Sequence, residues 1–350
     1  MAHRFRSQDN RDSLLTNMET PPKDIIAALD RMQLLNGAAP TGQPLTGGVS
    51  SDIWRIDLPT GPICIKRALA KLRVSADWQA PVERNTYEAR WMRVVSQTVP
   101  HAAPALLGQD ETTGALAMAY LPPERYPLWK SRLRDGAVDI GFAASVGSSL
   151  GQIHAATAAD PSLAQRFPTD TIFHDIRLEP YLTHTGRIHL DLADRMQGLL
   201  ETTLRNKHAL VHGDISPKNI LCGPEGPVFL DAECAWWGDP AFDLAFCLNH
   251  LMLKCLWVPA ARGQLLESLE AMTAAYLPLV YWESAAALET RAAHLLPALF
   301  LARVDGKSPV EYITRDADRD KVRFVARRLL ADTPDRLADI ARAWKREIVA

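Results

Sequence analysis

Three oxygen-bearing side chains in one short stretch, LVHGDISPKNILCGPEGPVFLDAECAWWGDPAFDLA, are spaced so that together they could do chemistry. Gly223-Pro224-Glu225-Gly226-Pro227 is a turn signal flanked by two apolar runs, Ile220-Leu221-Cys222 and Val228-Phe229-Leu230, and so predicts a β-hairpin. With residue 225 as its midpoint, residue 221 faces 229 and residue 219 faces 231, which brings Asn219 and Asp231 together at the open end. Two hard oxygen donors suit Mg2+, which takes one or two carboxylates from protein and fills its octahedron with waters and phosphate oxygens. Asp214 lies five residues before Asn219, where its carboxylate can orient a hydroxyl and accept its proton as a phosphate is attacked. The chemistry implied is phosphoryl transfer from an Mg-nucleotide. Asp, Asn and Gly are also ordinary turn residues, but His-Gly-Asp with Asn at the fifth position after Asp arises in such a chain by chance at odds on the order of one in a thousand.

At these residues the chain resembles the aminoglycoside phosphotransferase and choline kinase family, small-molecule relatives of the protein kinases. The resemblance covers most of the chain. It implies that His212, Gly213, Asp214 and Asn219 form a catalytic loop, that Asp231 and Glu233 belong to a metal-binding segment, and that Asp243, in the stretch from Gly238 to Ala245, braces the loop. Asp239 reads first as the N-terminal cap of a helix, because Asp239-Pro240 precedes an apolar run, and Asp243 reads equally as a structural residue of that helix start. The fold implied is α+β: a two-lobed protein-kinase-like fold, with a small antiparallel-sheet N-lobe and a larger, mainly helical C-lobe. ATP and Mg2+ are the implied cofactors, and the partner is a small-molecule hydroxyl acceptor.

The elements that must position these groups are legible in outline. Residues 1–22 are polar and end in Pro21-Pro22, a loose tail; residues 23–121 form the N-lobe and residues 122–350 the C-lobe. Asp24 caps a helix carrying Ile25, Leu29 and Met32, stopped by Asn36-Gly37. Trp54, Ile56 and Leu58 alternate with polar residues, Pro59 to Pro62 turns the chain, and Ile63-Cys64-Ile65-Lys66 returns as the second arm of a hairpin. After Pro122-Pro123 the apolar spacing becomes helical, and the β island from Ala209 to Asp231 interrupts it.

The first lobe should supply phosphate contacts. Gly47, Gly48 and Ser50 lie in a loop before the first hairpin strand, where backbone amides could approach phosphate oxygens. A Walker-type GxxxxGK[ST] string is absent, as is GxGxxG. A hairpin centre between Thr60 and Gly61 sets Lys66 opposite Arg55, on the face away from Trp54, Ile56 and Leu58. The resemblance makes Lys66 the lysine that contacts nucleotide phosphates, with Glu88 its ion-pair partner and Glu83 in competition; a solvated edge lysine is the alternative. The segment Met118 to Leu121, with Tyr120, resembles the connection between lobes whose backbone holds adenine, and reads equally as a buried strand.

For the acceptor, IKRALAKLRVS, VERNTYEARWM and ARVDGKSP resemble methylthioribose kinases within the family. That subgroup carries an arginine pair of which only Arg303 is present here, preceded by Ala302, and a serine where this chain has Asn219. Methylthioribose is therefore not assigned. Trp236, Trp237, Arg303, Asp305 and Lys307 are the candidate acceptor contacts, against the alternatives of core tryptophans and an ordinary ion pair. An aminoglycoside-modifying phosphotransferase is the runner-up, and a catalytically silent nucleotide-binding relative a further one. Gly147-Ser148-Ser149-Leu150-Gly151 fits GxSxG, but Phe142, Val146, Leu150 and Ile153 run through it at helical spacing, whereas a nucleophile elbow needs a strand before its serine.

Composition narrows the remainder. Over 350 residues, an apolar share of 47% and a charged share of 23% are those of a globular chain, and one large or two medium domains are expected. A net charge of -2 gives no global basic field for nucleic acid or anionic lipid. Five cysteines, Cys64, Cys222, Cys234, Cys247 and Cys255, form no CxxC pair, and no apolar stretch reaches signal-peptide or membrane-helix length, so a cytoplasmic setting is expected.

Overall fold

The computed structural model describes residues 19–45, 51–69 and 83–349; the expected tail up to residue 18 and the candidate phosphate contacts Gly47, Gly48 and Ser50 lie outside the described residues. The chain divides into two compact units. One comprises Met1–Gln79 and Leu107–Tyr120, the other Ala80–Leu106 and Leu121–Ala350.

The first unit is built on a five-stranded antiparallel sheet with strands β1 (Thr41–Pro44), β2 (Ser51–Leu58), β3 (Gly61–Ala68), β4 (Leu106–Asp110) and β5 (Ala115–Ala119), in the order β1-β2-β3-β5-β4. Strands β2 and β3 close on the two-residue turn Pro59-Thr60, with Leu58 opposite Gly61. Lys66 therefore faces Ile53 and not Arg55. The slip from expectation is two residues, and because side chains alternate with period two, Lys66 still lies on the face away from Trp54, Ile56 and Leu58. The Lys23–Arg31 helix begins after Pro22, with Asp24 inside its first turn, and ends before Asn36-Gly37. Its Ile25 and Leu29 join Ile56, Ile63 and Ile65 in one buried cluster. Each such side chain contributes roughly 1.5–3 kcal/mol through removal from water. Arg31 reaches from that helix to Asp110 at the end of β4, with Nε and Nη2 each donating to a carboxylate oxygen at 2.8 Å.

The second unit is mainly helical, which with the sheet of the first gives the expected α+β class. Its centre is the Ala241–Trp257 helix, in which every residue from 241 to 256 is buried. A mainly apolar helix buried on all sides belongs inside a core, and the polar residues it carries are buried with it. The Ile140–Ala158 helix packs against the Arg262–Tyr276 helix. Gly147 sits at that contact, where a Cβ would come within 2.2 Å of the Met272 carbonyl oxygen. The GxSxG string is thus mid-helix, its first glycine serving a close helix approach, and no strand precedes Ser149. Two small ladders complete the unit: β6 (Ala209–Val211) with β9 (Trp236–Gly238), and β7 (Ile220–Gly223) with β8 (Gly226–Phe229). Among the described residues no single helix is long and apolar enough to cross a membrane.

Candidate active site

The β7–β8 hairpin forms where the apolar runs predict it, with a different register. Its loop is the two residues Pro224-Glu225, and Gly223 pairs with Gly226, Leu221 with Val228 and Ile220 with Phe229. Asn219 consequently stands opposite Leu230, whose amide donates to the Asn219 carbonyl at 2.8 Å. Asp231 comes one position later, and its backbone adopts φ +69°, a left-handed conformation that costs a non-glycine residue about 1 kcal/mol or more. The expected pairing of Asn219 with Asp231 across the ladder is corrected: a backbone turn at Asp231 ends the strand just past the opposed pair.

The loop before β7 is held from beneath. The Asp243 carboxylate, in the first turn of the buried Ala241–Trp257 helix, accepts the His212 amide at 2.7 Å on one oxygen and the Gly213 amide at 2.8 Å on the other. His154 Nε2 lies 3.3 Å from the same carboxylate, and its Nδ1 is 2.8 Å from the Tyr276 hydroxyl. Gly213 has φ +82°, and a Cβ there would meet the Cys234 carbonyl at 2.8 Å, so both shape and space require glycine. His212 turns Nδ1 back to accept the Asp214 amide at 3.1 Å. Its ring packs edge-on against Trp91, centroids 4.9 Å apart, and burial pulls it below the ordinary histidine pKa, so it is neutral at pH 7. Asp239 is separate from this brace: it accepts the Ala241 amide at 3.0 Å and takes two bonds from Arg291, which also grips Glu283.

Asp214 is buried, yet one carboxylate oxygen, Oδ2, faces three donors: Asn219 Nδ2 at 2.8 Å, Arg177 Nη2 at 3.0 Å and Lys218 Nζ at 3.1 Å. Burial alone would raise its pKa, but the Arg177 and Lys218 charges outweigh it and hold the carboxyl below its ordinary value. The Asp231 charge works against that ionisation, which marks the two carboxylates as electrostatic neighbours. Arg177 also donates through Nε to the Gly213 carbonyl and through Nη1 to the Ile176 carbonyl at 2.9 Å. It projects from an i→i+5 helical segment, His174–Thr183, that contains Pro180. Widened turns of this kind concentrate at functional sites.

Arg177 and Lys218 are additions to the residues foreseen from sequence. Lys218 had a signal, one turn beyond Asp214 in the same loop; Arg177 had none. Asn219 uses its amide nitrogen on Asp214, donating also to the Asp214 carbonyl at 3.1 Å, which leaves its amide oxygen as the acceptor end for a cation. Glu233 is buried and accepts Arg84 Nε at 2.8 Å, an ion pair that ties the Arg84–Thr98 helix to the segment after β8.

Lys66 is buried in β3 and Glu88 is buried in the Arg84–Thr98 helix, while Glu83 is exposed. Met118 is buried in β5 opposite Cys64, and Tyr120 lies under the Arg55 guanidinium at 5.0 Å. Trp236 is fully buried, stacks on Phe173 with centroids 4.2 Å apart and donates to Asp170 at 2.5 Å, surroundings that accord with the alternative of a core tryptophan. Trp237 is buried beside it in β9. Asp305 is bound by Arg323 and by His189. Arg303 is buried and donates to the Tyr181 hydroxyl at 2.8 Å and to the Ser308 carbonyl at 2.5 Å. All five cysteines are free thiols.

Comparison with known proteins adds to this geometry. A family-wide sequence model described as "Phosphotransferase enzyme family" matches residues 41–288. Over 230 residues the chain is 24% identical to a methylthioribose kinase of Bacillus thuringiensis subsp. konkukian (strain 97-27), covering 58% of each chain, and it matches one of Bacillus cereus (strain AH187) to the same extent. The chain thus spans little more than half the length of these curated relatives. Among solved structures it is similar to amicoumacin kinase hAmiN in complex with AMP-PNP, Ca2+ and Ami, at a TM-score of 0.55 and 13% identity over 86% of this chain and 91% of that one. It is also similar to choline kinase from Cryptosporidium parvum Iowa II, at a TM-score of 0.50 and 10% identity over 93% of each. At these identities the likeness is one of fold.

Proposed function

The chain belongs to the phosphotransferase enzyme family, and from that premise we propose that it transfers the γ-phosphoryl group of ATP to a hydroxyl of a small molecule, a sugar, an amino alcohol or a related metabolite, with Asp214 as the base. The observation that carries this reading is the state of Asp214: a buried carboxylate kept ionised by Arg177 and Lys218 on a loop clamped by Asp243. A base must be ionised to accept a proton and fixed to accept it from one hydroxyl. In the step proposed, the acceptor oxygen bonds to the γ-phosphorus, the bond from that phosphorus to the β,γ-bridging oxygen breaks, ADP leaves, and the hydroxyl proton passes to Asp214. Positioning and charge neutralisation supply the acceleration, with no covalent enzyme intermediate.

The donor set fits a hard divalent cation. Asn219 offers an amide oxygen, and Asp231 a half-buried carboxylate on a strained backbone. Mg2+ held there would neutralise charge on the phosphates. Glu233 contributes by fixing Arg84, and Lys66 is assigned to the nucleotide phosphates, following the family pattern.

The test is ADP release with a panel of sugars, amino alcohols, nucleoside-derived metabolites and aminoglycosides. Asp214→Asn should lower kcat by at least about 100-fold while nucleotide affinity, read by fluorescence titration, stays within twofold. Asp231→Ala should weaken Mg-nucleotide binding. Normal turnover in the first variant removes Asp214 as base, and unchanged metal dependence in the second removes Asp231 as ligand.

A further inference from the structure

Four polar groups of the second unit converge without the partners that burial demands. His250 Nε2, Arg303 Nε and the Tyr312 hydroxyl are each buried and, among the described residues, lack a hydrogen-bond partner. Lys254 is the fourth: it is 1% exposed, and its ammonium lies 4.6 Å from the Trp257 ring centroid and 4.4 Å from that of Tyr312. Among the described residues no carboxylate lies within ion-pair distance of it. The nearby Glu311 is paired with Lys130. Buried polar groups are normally satisfied by protein, ordered water or a bound ligand, and donors left over in one cluster invite an acceptor.

The cluster adjoins the proposed base through one aromatic relay. Arg177, which pairs with Asp214, lies 5.8 Å over the Phe246 ring. That ring faces both Tyr181 and His250 at 5.4 Å, and Arg303 sits 5.4 Å over Tyr181. Trp257 and Tyr312 are half-buried and form the more accessible side of the cluster. At His250 the field is positive: beyond burial, the charges of Arg303, Lys254, Lys218 and Lys130 all push it well below its ordinary pKa, while at Lys254 the Glu311 carboxylate acts in the opposite sense. Burial, with Lys130 next, brings Lys254 down to about 7.

We propose that Lys254, Arg303, His250 and Tyr312 form an acceptor subsite for an anionic group, so that the hydroxyl compound phosphorylated carries a carboxylate or phosphate of its own. This deepens the phosphotransfer reading and rests on it. A polycation such as an aminoglycoside would meet repulsion here; an anion would supply the acceptor atoms that four donors lack.

The test reads binding and turnover separately on the full chain. Gluconate and glycerol 3-phosphate, each at millimolar concentration, are compared with sorbitol, glycerol and choline by thermal shift. One of the two anions should raise the melting temperature by about 2–4 °C, and which one does so distinguishes carboxylate from phosphate. Lys254→Met should abolish that shift with no loss of melting temperature in the absence of ligand, because the substitution removes a buried ammonium. Asp214→Asn should retain it. In the ADP-release assay, anionic acceptors should be preferred, and Lys254→Met should raise their KM at least tenfold with KM for ATP unchanged. Absence of any Lys254-dependent anion shift, or preference for the neutral or cationic compounds, overturns the subsite even while phosphotransfer stands. Lys254-dependent anion binding with no Asp214-dependent ADP release from any acceptor would sink the phosphotransfer reading instead.

Discussion

Arg177 illustrates how far a single side chain can escape sequence reasoning. Asp214, Asn219 and Asp231 announce themselves by type and spacing, but Arg177 lies 37 positions before Asp214 and comes from a segment whose Pro180 reads as a helix breaker. Only the folded chain brings it within 3.0 Å of Asp214. Its charge holds that carboxyl low, so removing it should raise the pKa of the base. A base acts when ionised, and activity is lost as pH falls through its pKa; Arg177→Met should therefore move the acid limb of kcat/KM to higher pH by about one unit or more. A pH–rate profile normalised within the variant checks this independently of how much protein folds. An unmoved limb would mean that Arg177 only supports the Gly213 carbonyl.

Elements were more legible than their registers. Both hairpins stand where apolar runs flank a turn, yet each closes on a two-residue loop, Pro59-Thr60 and Pro224-Glu225, tighter than the proline- and glycine-rich strings suggest. The two-residue slip in the first left every side chain on its expected face. In the second the slip was one residue, and the backbone turns left-handed at Asp231, just past the opposed pair. The helical spacing through Gly147 to Gly151 marks a true helix, and its meaning is packing. Gly147→Val should destabilise the protein by about 2–3 kcal/mol, since the added atoms collide with the Met272 carbonyl, whereas Ser149→Ala should leave ADP release unchanged. Urea unfolding and the same assay check both. Loss of turnover in Ser149→Ala with normal stability would reopen a role for that serine.

At the scale of the whole molecule, acid sensitivity of the first unit should trace to one ion pair. Asp110 is held well below the ordinary carboxylate range, chiefly by hydrogen bonds from Arg31 and despite its burial. A depressed folded-state pKa gives stability that is present above the unfolded value, about 3.9, and is lost as pH falls through the folded one. Below about pH 4 the first unit should therefore weaken. Asp110→Asn should cost about 1 kcal/mol at neutral pH, because Arg31 is partly solvated, and should flatten the acid slope. Urea titrations from pH 7 to 3 on both proteins check this, and equal slopes would remove the Arg31–Asp110 pair as the cause.

The order in which the chain visits its two units has a consequence for synthesis. Residues 80–106 interrupt the first unit but belong to the second, where Trp91 packs against His212 and Phe229, and Arg84 against Glu233. Once Tyr120 has emerged, the nascent chain holds every strand of its five-stranded sheet, while a tryptophan and an arginine destined for the interior wait more than a hundred residues for the ribosome to deliver their partners. During that interval the Arg84–Thr98 helix is the segment that most needs shelter from its own kind.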